Sequence, residues 1–308
     1  MSIKTFRGLK AFRSWQHKSS VRARHHDYDL TADDLSAPSP EHWFPTTLSA
    51  ALVLPEIKCL PTAKRLKAHV AHLVHFLDYT TDLEMTLVNR AVSLMVHGRI
   101  SRYFDVAERQ AVLMLYTDES FHAFVSRQMS DQVSLHFGIS RKKSSRCIRI
   151  QRYLNRCPEK YREFAVFVVA FISETIITKE LLIGTQGRLI APVHSILQDH
   201  LLDEARHSLF FMDCFVKLIP QLDGCEKKFV TKALADLLRI FFRPDQMLLH
   251  SILGGDLQAY AHAVHQLECS AFERGRVTAS STLHTIQETK LLNEHCNALI
   301  FRELGLVP

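Results

Sequence analysis

Two short runs in this 308-residue chain carry the same pattern, Asp118-Glu119-x-x-His122 and Asp203-Glu204-x-x-His207. A Glu-x-x-His match alone arises readily by chance. An Asp before the Glu makes each match rare, and two copies in one chain call for a cause. On an α-helix, residues three apart project from the same face, so each Glu and His can grip one metal ion together. Two such helices facing each other, with one further Glu from each of two other helices, form a di-iron carboxylate site in the core of a four-helix bundle.

The two remaining carboxylates are sought where a Glu interrupts an apolar helix. Glu174 stands within Phe164-Ala-Val-Phe-Val-Val-Ala-Phe-Ile-Ser-Glu-Thr-Ile-Ile177, where an ionised carboxylate is heavily penalised unless a cation compensates it. Glu84, in Leu83-Glu-Met-Thr-Leu-Val88, is supported less by its surroundings than by chain order. Together they give the order Glu, Glu-x-x-His, Glu, Glu-x-x-His, which two pseudo-repeated helix pairs would produce. Four carboxylates balance the charge of two divalent cations, and oxygen donors with imidazole suit iron or manganese better than copper. Asp118 and Asp203 are placed to accept the outer N–H of a ligand histidine on a neighbouring helix. His200 shares a helical face with Glu204 and His207, whereas His69, His72 and His75 are read as non-ligands.

These residues must be carried by long helices. Pro38, Pro40, Pro45, Pro55 and Pro61 mark an irregular entry segment over 1–61, expected to pack on a single helical domain over 62–308. No proline occurs from 62 to 157. Helical periodicity predicts helices over Ala63–Tyr79, Asp82–Met95 and Val106–Val133, with a break at Val96-His97-Gly98. Pro158 opens a helix that Gly184 to Gly187 closes, and Pro192 opens another that ends before Pro220. Further helices are expected over Glu226–Leu253 and Leu257–Leu304, the latter broken near Gly275. No alternating strand pattern flanked by hairpin turns is found. The fold expected is all-α.

Apolar residues make up 47% and charged residues 23%, the balance of a globular protein. No window approaches the ~18 uninterrupted apolar residues of a spanning helix. The first thirty residues carry Lys4, Arg7, Lys10, Arg13, Lys18, Arg22 and Arg24 without an apolar block, unlike a secretory signal, so a cytoplasmic address is expected. The cysteines, Cys59, Cys147, Cys157, Cys214, Cys225, Cys269 and Cys296, include no C-x-x-C pair and read as reduced structural thiols. The net charge is +6, and its densest run, Arg141-Lys142-Lys143-Ser144-Ser145-Arg146, reads as a solvated face, with a docking patch for an acidic partner as the alternative. Neither nucleic acid nor membrane is indicated as a partner.

Glu84, Asp118-Glu119-Ser-Phe-His122, Glu174 and His200-Leu-Leu-Asp-Glu204-Ala-Arg-His207 together resemble the di-iron arylamine N-oxygenases of the p-aminobenzoate N-oxygenase family, within the ferritin-like superfamily. That family's cluster has four Glu and three His ligands, and the resemblance implies that His200 is the third. It covers at least Asp82 to Phe211. It also implies a ferritin-like, ribonucleotide-reductase-like bundle and oxygen activation at a diferrous centre, with oxidation of an amine nitrogen to a hydroxylamine, nitroso or nitro compound. The amine would be a small molecule or carrier-protein-bound, in secondary metabolism. No G-x-G-x-x-G fingerprint is present, so an external electron donor is expected. A homodimer is compatible with this reading.

Other di-iron chemistry, C–H hydroxylation or desaturation, is the main alternative, because ligand sets overlap. The ribonucleotide reductase small subunit stores a radical on a tyrosine one turn after its first Glu-x-x-His, where this chain has Ser126. An iron-storage bundle is a further alternative. Arg274, Arg276 and Arg302 are arginines that an anionic substrate could use, and none is singled out.

Overall fold

The computed structural model describes residues 7–23, 27–36, 39–303 and 305–306, with the Cys296 side chain left undescribed. Lys4, Arg24 and Leu304 lie outside the described residues. Every regular element among those described is helical. None of their helices is long and apolar enough to cross a membrane.

The chain begins with short helices, α1 (Arg7–Phe12), α2 (Trp15–Lys18), α3 (Ser20–Ala23), α4 (Ala32–Leu35) and α5 (Pro55–Lys58). The bundle proper starts at α6 (Thr62–Leu83), which runs through a π-helical segment, Glu84–Val88, into α7 (Asn89–His97). Two helices predicted with a gap at residues 80 and 81 are therefore one continuous rod that Gly98 ends. The extra residue of a π turn re-aims the side chains that follow it, and Glu84 opens that turn.

Helix α8 (Val106–Phe137) starts at a capping box, in which Asp105 and Glu108 satisfy each other's backbone N–H, and stops at Gly138, whose φ of 59° suits a residue without Cβ. Helix α9 (Ser145–Arg156) has no counterpart in the sequence reading. It begins inside the basic run, and Ile150 and Leu154 bury its inner face. Helix α10 (Glu159–Gly184) follows Pro158, and α11 (Ala191–Leu218) has Pro192 in its first turn.

The last third is more broken than its periodicity suggested. Helix α12 (Gly224–Phe242) ends before Pro244, and α13 (Gln246–Leu253) restarts with Asp245 capping two backbone N–H groups. The span expected as one helix broken near Gly275 forms α14 (Leu257–Cys269), α15 (Ala271–Thr278), α16 (Ser280–Glu288) and α17 (His295–Glu303). Gly275 lies within α15, where an added Cβ would collide with the Phe242 ring. The glycine serves close packing, not a break.

The most extensive helix pairs are α6 with α8 and α10 with α11, and α8 also meets α11. Their apolar residues form two separate buried clusters. One holds Ala111, Val112 and Leu115 of α8, Phe164–Ile172 of α10 and Phe210–Leu218 of α11. The other holds Val125, Met129 and Val133 of α8, Ile177 and Leu181 of α10, and Val193, Ile196 and Leu197 of α11. Between them each helix carries its acidic and histidine residues, so a polar layer crosses the bundle at mid-height with an apolar layer on either side.

Candidate metal centre

Helices α8 and α11 each place a Glu and a His one turn apart, and helical geometry aims all four inward. Glu84 is supplied by the π segment and Glu174 by α10. All seven candidate ligands are buried, none more than 4% exposed. Two groups have candidate ligand atoms within 4.8 Å of one another: Glu84, His122, His200 and Glu204 in one, and Glu119, His122, Glu204 and His207 in the other. His122 and Glu204 belong to both, so the groups are adjacent. Glu174 falls outside these groups but lies beside the second, with Oε2 3.6 Å from His207 Nδ1.

The atoms converge, and apart from a 3.2 Å contact between His207 Nδ1 and Glu204 Oε1 they leave one another largely unsatisfied. His200 Nε2 is 3.0 Å from Glu84 Oε1 and 3.3 Å from Glu204 Oε1. His122 Nδ1 is 3.4 Å from Glu204 Oε1, and His207 Nδ1 is 2.7 Å from Glu119 Oε1. Yet Glu84 Oε2, both Glu119 oxygens, His122 Nδ1, Glu174 Oε2, His200 Nε2 and Glu204 Oε2 make no hydrogen bond. A buried polar group left this way costs on the order of 1–3 kcal/mol, and here seven such atoms crowd one spot. Lone pairs that face a common centre, with no proton aligned between them, suit a cation as the missing partner.

The outer side is satisfied in a crossed manner. His207 Nε2 lies 3.1 Å from Asp118 Oδ2, and His122 Nε2 lies 3.0 Å from Asp203 Oδ2, each partner on the opposite helix. With the N–H at Nε2 donated to a carboxylate, each imidazole presents Nδ1 inward. Residues that sequence reasoning missed complete this shell. The Trp15 indole N–H donates to Asp118 at 2.9 Å, and the Ser19 hydroxyl donates at 2.5 Å. Ser20 and the Arg206 guanidinium donate to Asp203. Arg206 stood one residue from His207 in plain view, but Trp15, Ser19 and Ser20 are about a hundred residues or more away in the chain, and no periodicity could have found them. Phe12 closes the layer, its ring parallel to that of His207 at 6.1 Å.

Electrostatics follow from four carboxylates in one dry layer. Burial and the charge of Glu204 push Glu119 up to about 7, and burial with Glu119 and Glu204 pushes Glu174 well above the usual carboxylate range. Burial alone would raise Glu204 also, but His207, His122 and His200 hold it far down. The same burial disfavours charged imidazoles, and the surrounding carboxylates outweigh it, so His122 and His207 are held well above their ordinary value.

His69, His72 and His75 stand apart from both groups. Phe44 O and Ala68 O engage the first two through Nδ1, at 2.6 Å and 2.8 Å, and His75 faces Asp245 at 3.4 Å. Ser126 is fully buried one turn after His122, with no tyrosine at that place. Lys142 and Lys143 of the basic run are exposed, but Arg141 pairs with Asp78 and Asp131, and Arg146 turns inward. Arg276 and Arg302 are exposed, and Arg274 donates to Ser270 and to Leu267 O.

Among protein-family models, the one described as p-aminobenzoate N-oxygenase AurF matches residues 12–288. No curated protein matches the chain.

Proposed function

The chain belongs to the p-aminobenzoate N-oxygenase family, and on that premise we propose that it uses two iron ions and O2 to oxidise the nitrogen of an amine substrate. Family membership makes it an O2-dependent oxidoreductase of the di-iron N-oxygenase kind. The finer reading concerns this chain's own residues. Glu84, Glu119, His122, Glu174, His200, Glu204 and His207 would hold the metals, with Asp118 and Asp203 orienting two of the imidazoles.

The observation that carries this reading is the set of seven buried, unpartnered oxygen and nitrogen atoms facing one another between two apolar layers. The donor set is hard oxygen and imidazole, with no thiolate, which favours iron or manganese. Bound there, the metals would supply oxygen activation. The chain's contribution is to keep the imidazole nitrogens aimed inward through Asp118 and Asp203, and to exclude water by apolar packing on both sides. Converting an amine and O2 to a hydroxylamine and water consumes two electrons and two protons beyond those of the amine, so an external reductant belongs to the reading. A cytoplasmic setting, where reduced carriers and reduced thiols coexist, is the compartment proposed.

The test is mass spectrometry of products formed by the iron-loaded, reduced protein with oxygen and a panel of amines. Oxygen gained on nitrogen is expected. Oxygen gained only on carbon overturns the assignment in favour of hydroxylation.

A further inference from the structure

The first three helices carry charge of one sign. From Arg7 to Ala23 the chain has five Lys or Arg residues and no Asp or Glu. Arg7 sits beside Asp213, which also accepts from the Gly8 N–H at 2.7 Å. Lys10, Arg13, Lys18 and Arg22 are exposed, and among the described residues no carboxylate pairs with any of the four. They flank Trp15 in the chain, and the Arg22 guanidinium lies 6.0 Å from the centre of its ring. Exposed Lys and Arg are ordinarily a solvated face. What lies beneath sets this face apart.

Helix α1 packs on α8 and α11, the two helices that carry the Glu-x-x-His pairs. The Trp15 indole N–H donates to both oxygens of Asp118 at 2.9 Å, and Asp118 accepts from His207 Nε2 at 3.1 Å. Asp118 and His207 are fully enclosed, whereas Trp15 keeps 8% of its surface exposed, so this hydrogen-bonded line reaches solvent at the indole. Two polar contacts thus separate a ring at the surface from an imidazole whose other nitrogen faces Glu119 at 2.7 Å. Electron tunnelling falls off exponentially with distance and crosses bonded and hydrogen-bonded contacts better than gaps. The other basic run, around Lys142 and Lys143, has no such line: its hydrogen bonds go to Ser130 and Asp245.

We propose that the exposed face of α1, α2 and α3 docks a small acidic protein carrying one electron at a time, and that Trp15, Asp118 and His207 lead each electron to the metal site. The proposal deepens the N-oxygenase reading and rests on it for the metals, while the docking face stands on its charge. Two encounters balance the step: two carriers are each oxidised by one electron, and two ferric ions are each reduced to ferrous. Charge of one sign around the indole steers an oppositely charged carrier to it, an effect of roughly 10- to 10³-fold on the rate of encounter that salt screens. Trp15 acts through Asp118 and is a positioning residue.

Anaerobic stopped-flow reduction of the ferric, iron-loaded full chain tests this, with a reduced acidic [2Fe–2S] ferredoxin as the carrier and methyldihydrophenazine as a small uncharged reductant. Loss of ferric absorbance is followed with no amine present. Arg13→Glu combined with Lys18→Glu is expected to slow second-order reduction by the ferredoxin about tenfold at low salt and to leave the rate with the small reductant unchanged. The parent's ferredoxin rate should fall as salt is raised. Lys142→Glu combined with Lys143→Glu should change neither rate. Trp15→Phe keeps the ring and removes the N–H, and at equal iron content it should lower the limiting rate at saturating ferredoxin while half-saturation stays in place. A ferredoxin rate that ignores salt and the first pair of substitutions, or that responds to Lys142 and Lys143 instead, overturns the docking face. A loss shared by the small reductant does so too, and an unchanged limiting rate in Trp15→Phe overturns the line through Asp118. Reduction as expected without any nitrogen-oxidised product from amines would keep the docking face and overturn the reaction, whereas nitrogen oxidation with a charge-blind ferredoxin rate does the reverse.

Discussion

Asp118 on α8 accepts the Nε2 proton of His207 on α11 at 3.1 Å, and Asp203 on α11 returns the arrangement to His122 on α8 at 3.0 Å. Each Asp precedes its own helix's Glu but serves the histidine of the other helix. The doubled Asp-Glu-x-x-His pattern therefore describes a reciprocal clasp, in which either helix fixes the ring orientation of its neighbour.

Replacing either aspartate by asparagine should break that clasp while leaving the bundle folded. Asp118→Asn and Asp203→Asn are each expected to weaken metal binding by about 10- to 100-fold. Competition against a chromophoric chelator would measure it. Unchanged affinity in both variants would remove the aspartates from the metal-holding machinery.

His200→Ala should give a folded protein with an altered metal site. His200 is the imidazole that one group of converging atoms does not share with the other. Its loss is expected to change the Mössbauer or near-infrared circular dichroism spectrum of the iron-loaded protein while the melting profile of the metal-free protein stays close to the parent's. Identical spectra and activity would show that His200 is not a ligand.

Removing the metals should cost stability. Four carboxylates in one buried layer are compensated by cations or by protons, and only the first option is available without shifting pKa values. At free metal about a hundredfold above its dissociation constant, binding adds about 2.7 kcal/mol to the folded state. Differential scanning calorimetry with and without chelator should show the metal-free chain unfolding at a lower temperature.

Gly8→Ala should loosen the N-terminal helix. A Cβ at Gly8 would lie 2.4 Å from Phe210 Cα, a backbone atom that cannot rotate away. The expected cost is about 1–3 kcal/mol for the forced shift. Because α1 leads into Trp15, Ser19 and Ser20, a fall in metal affinity should accompany the lower melting temperature. A variant with parental stability would show that the α1–α11 contact yields at no cost.

His72 should make stability fall in mild acid. It is buried, and burial pushes its pKa down from 6.5 to about 3. The unfolded chain takes up a proton at His72 below about pH 6.5 and the folded chain does not. Its contribution to stability is therefore intact above that pH and declines as pH falls toward 3, by roughly 2 kcal/mol at pH 5 for this group. Urea unfolding at pH 7 and pH 5 should show a smaller drop for His72→Gln than for the parent, and equal drops would contradict the assignment.

The parts of this molecule legible in its sequence are those that repeat over one or two helical turns. Glu119 with His122, and His200 with Glu204 and His207, announce themselves because spacing of three and four residues is a local property of a helix. Glu174 is legible as a lone acid in an apolar run. Glu84 is legible only through chain order and the family resemblance, since the π turn that it opens leaves no compositional mark. Helix α9 was hidden by its charge, although Arg146, Ile150 and Leu154 recur every four residues on its inner face. Pro244 is legible as a helix stop, whereas the role of Gly275 depends on Phe242, which only packing reveals. The Trp15, Ser19 and Ser20 contacts join the two ends of the metal layer's sequence, and such long-range partners have no period to detect.

The hydrogen bonds from Ser20 to Asp203 span 183 positions of the chain. During synthesis the residues that will buttress the histidines leave the ribosome early and wait for α11 to follow, because translation delivers roughly 5–20 residues per second. Metal loading at the proposed site would in consequence be a late event of biosynthesis, because a nascent chain stalled before α11 would hold Glu84, Glu119, His122 and Glu174 but no ligand from α11 and none of the reciprocal bracing.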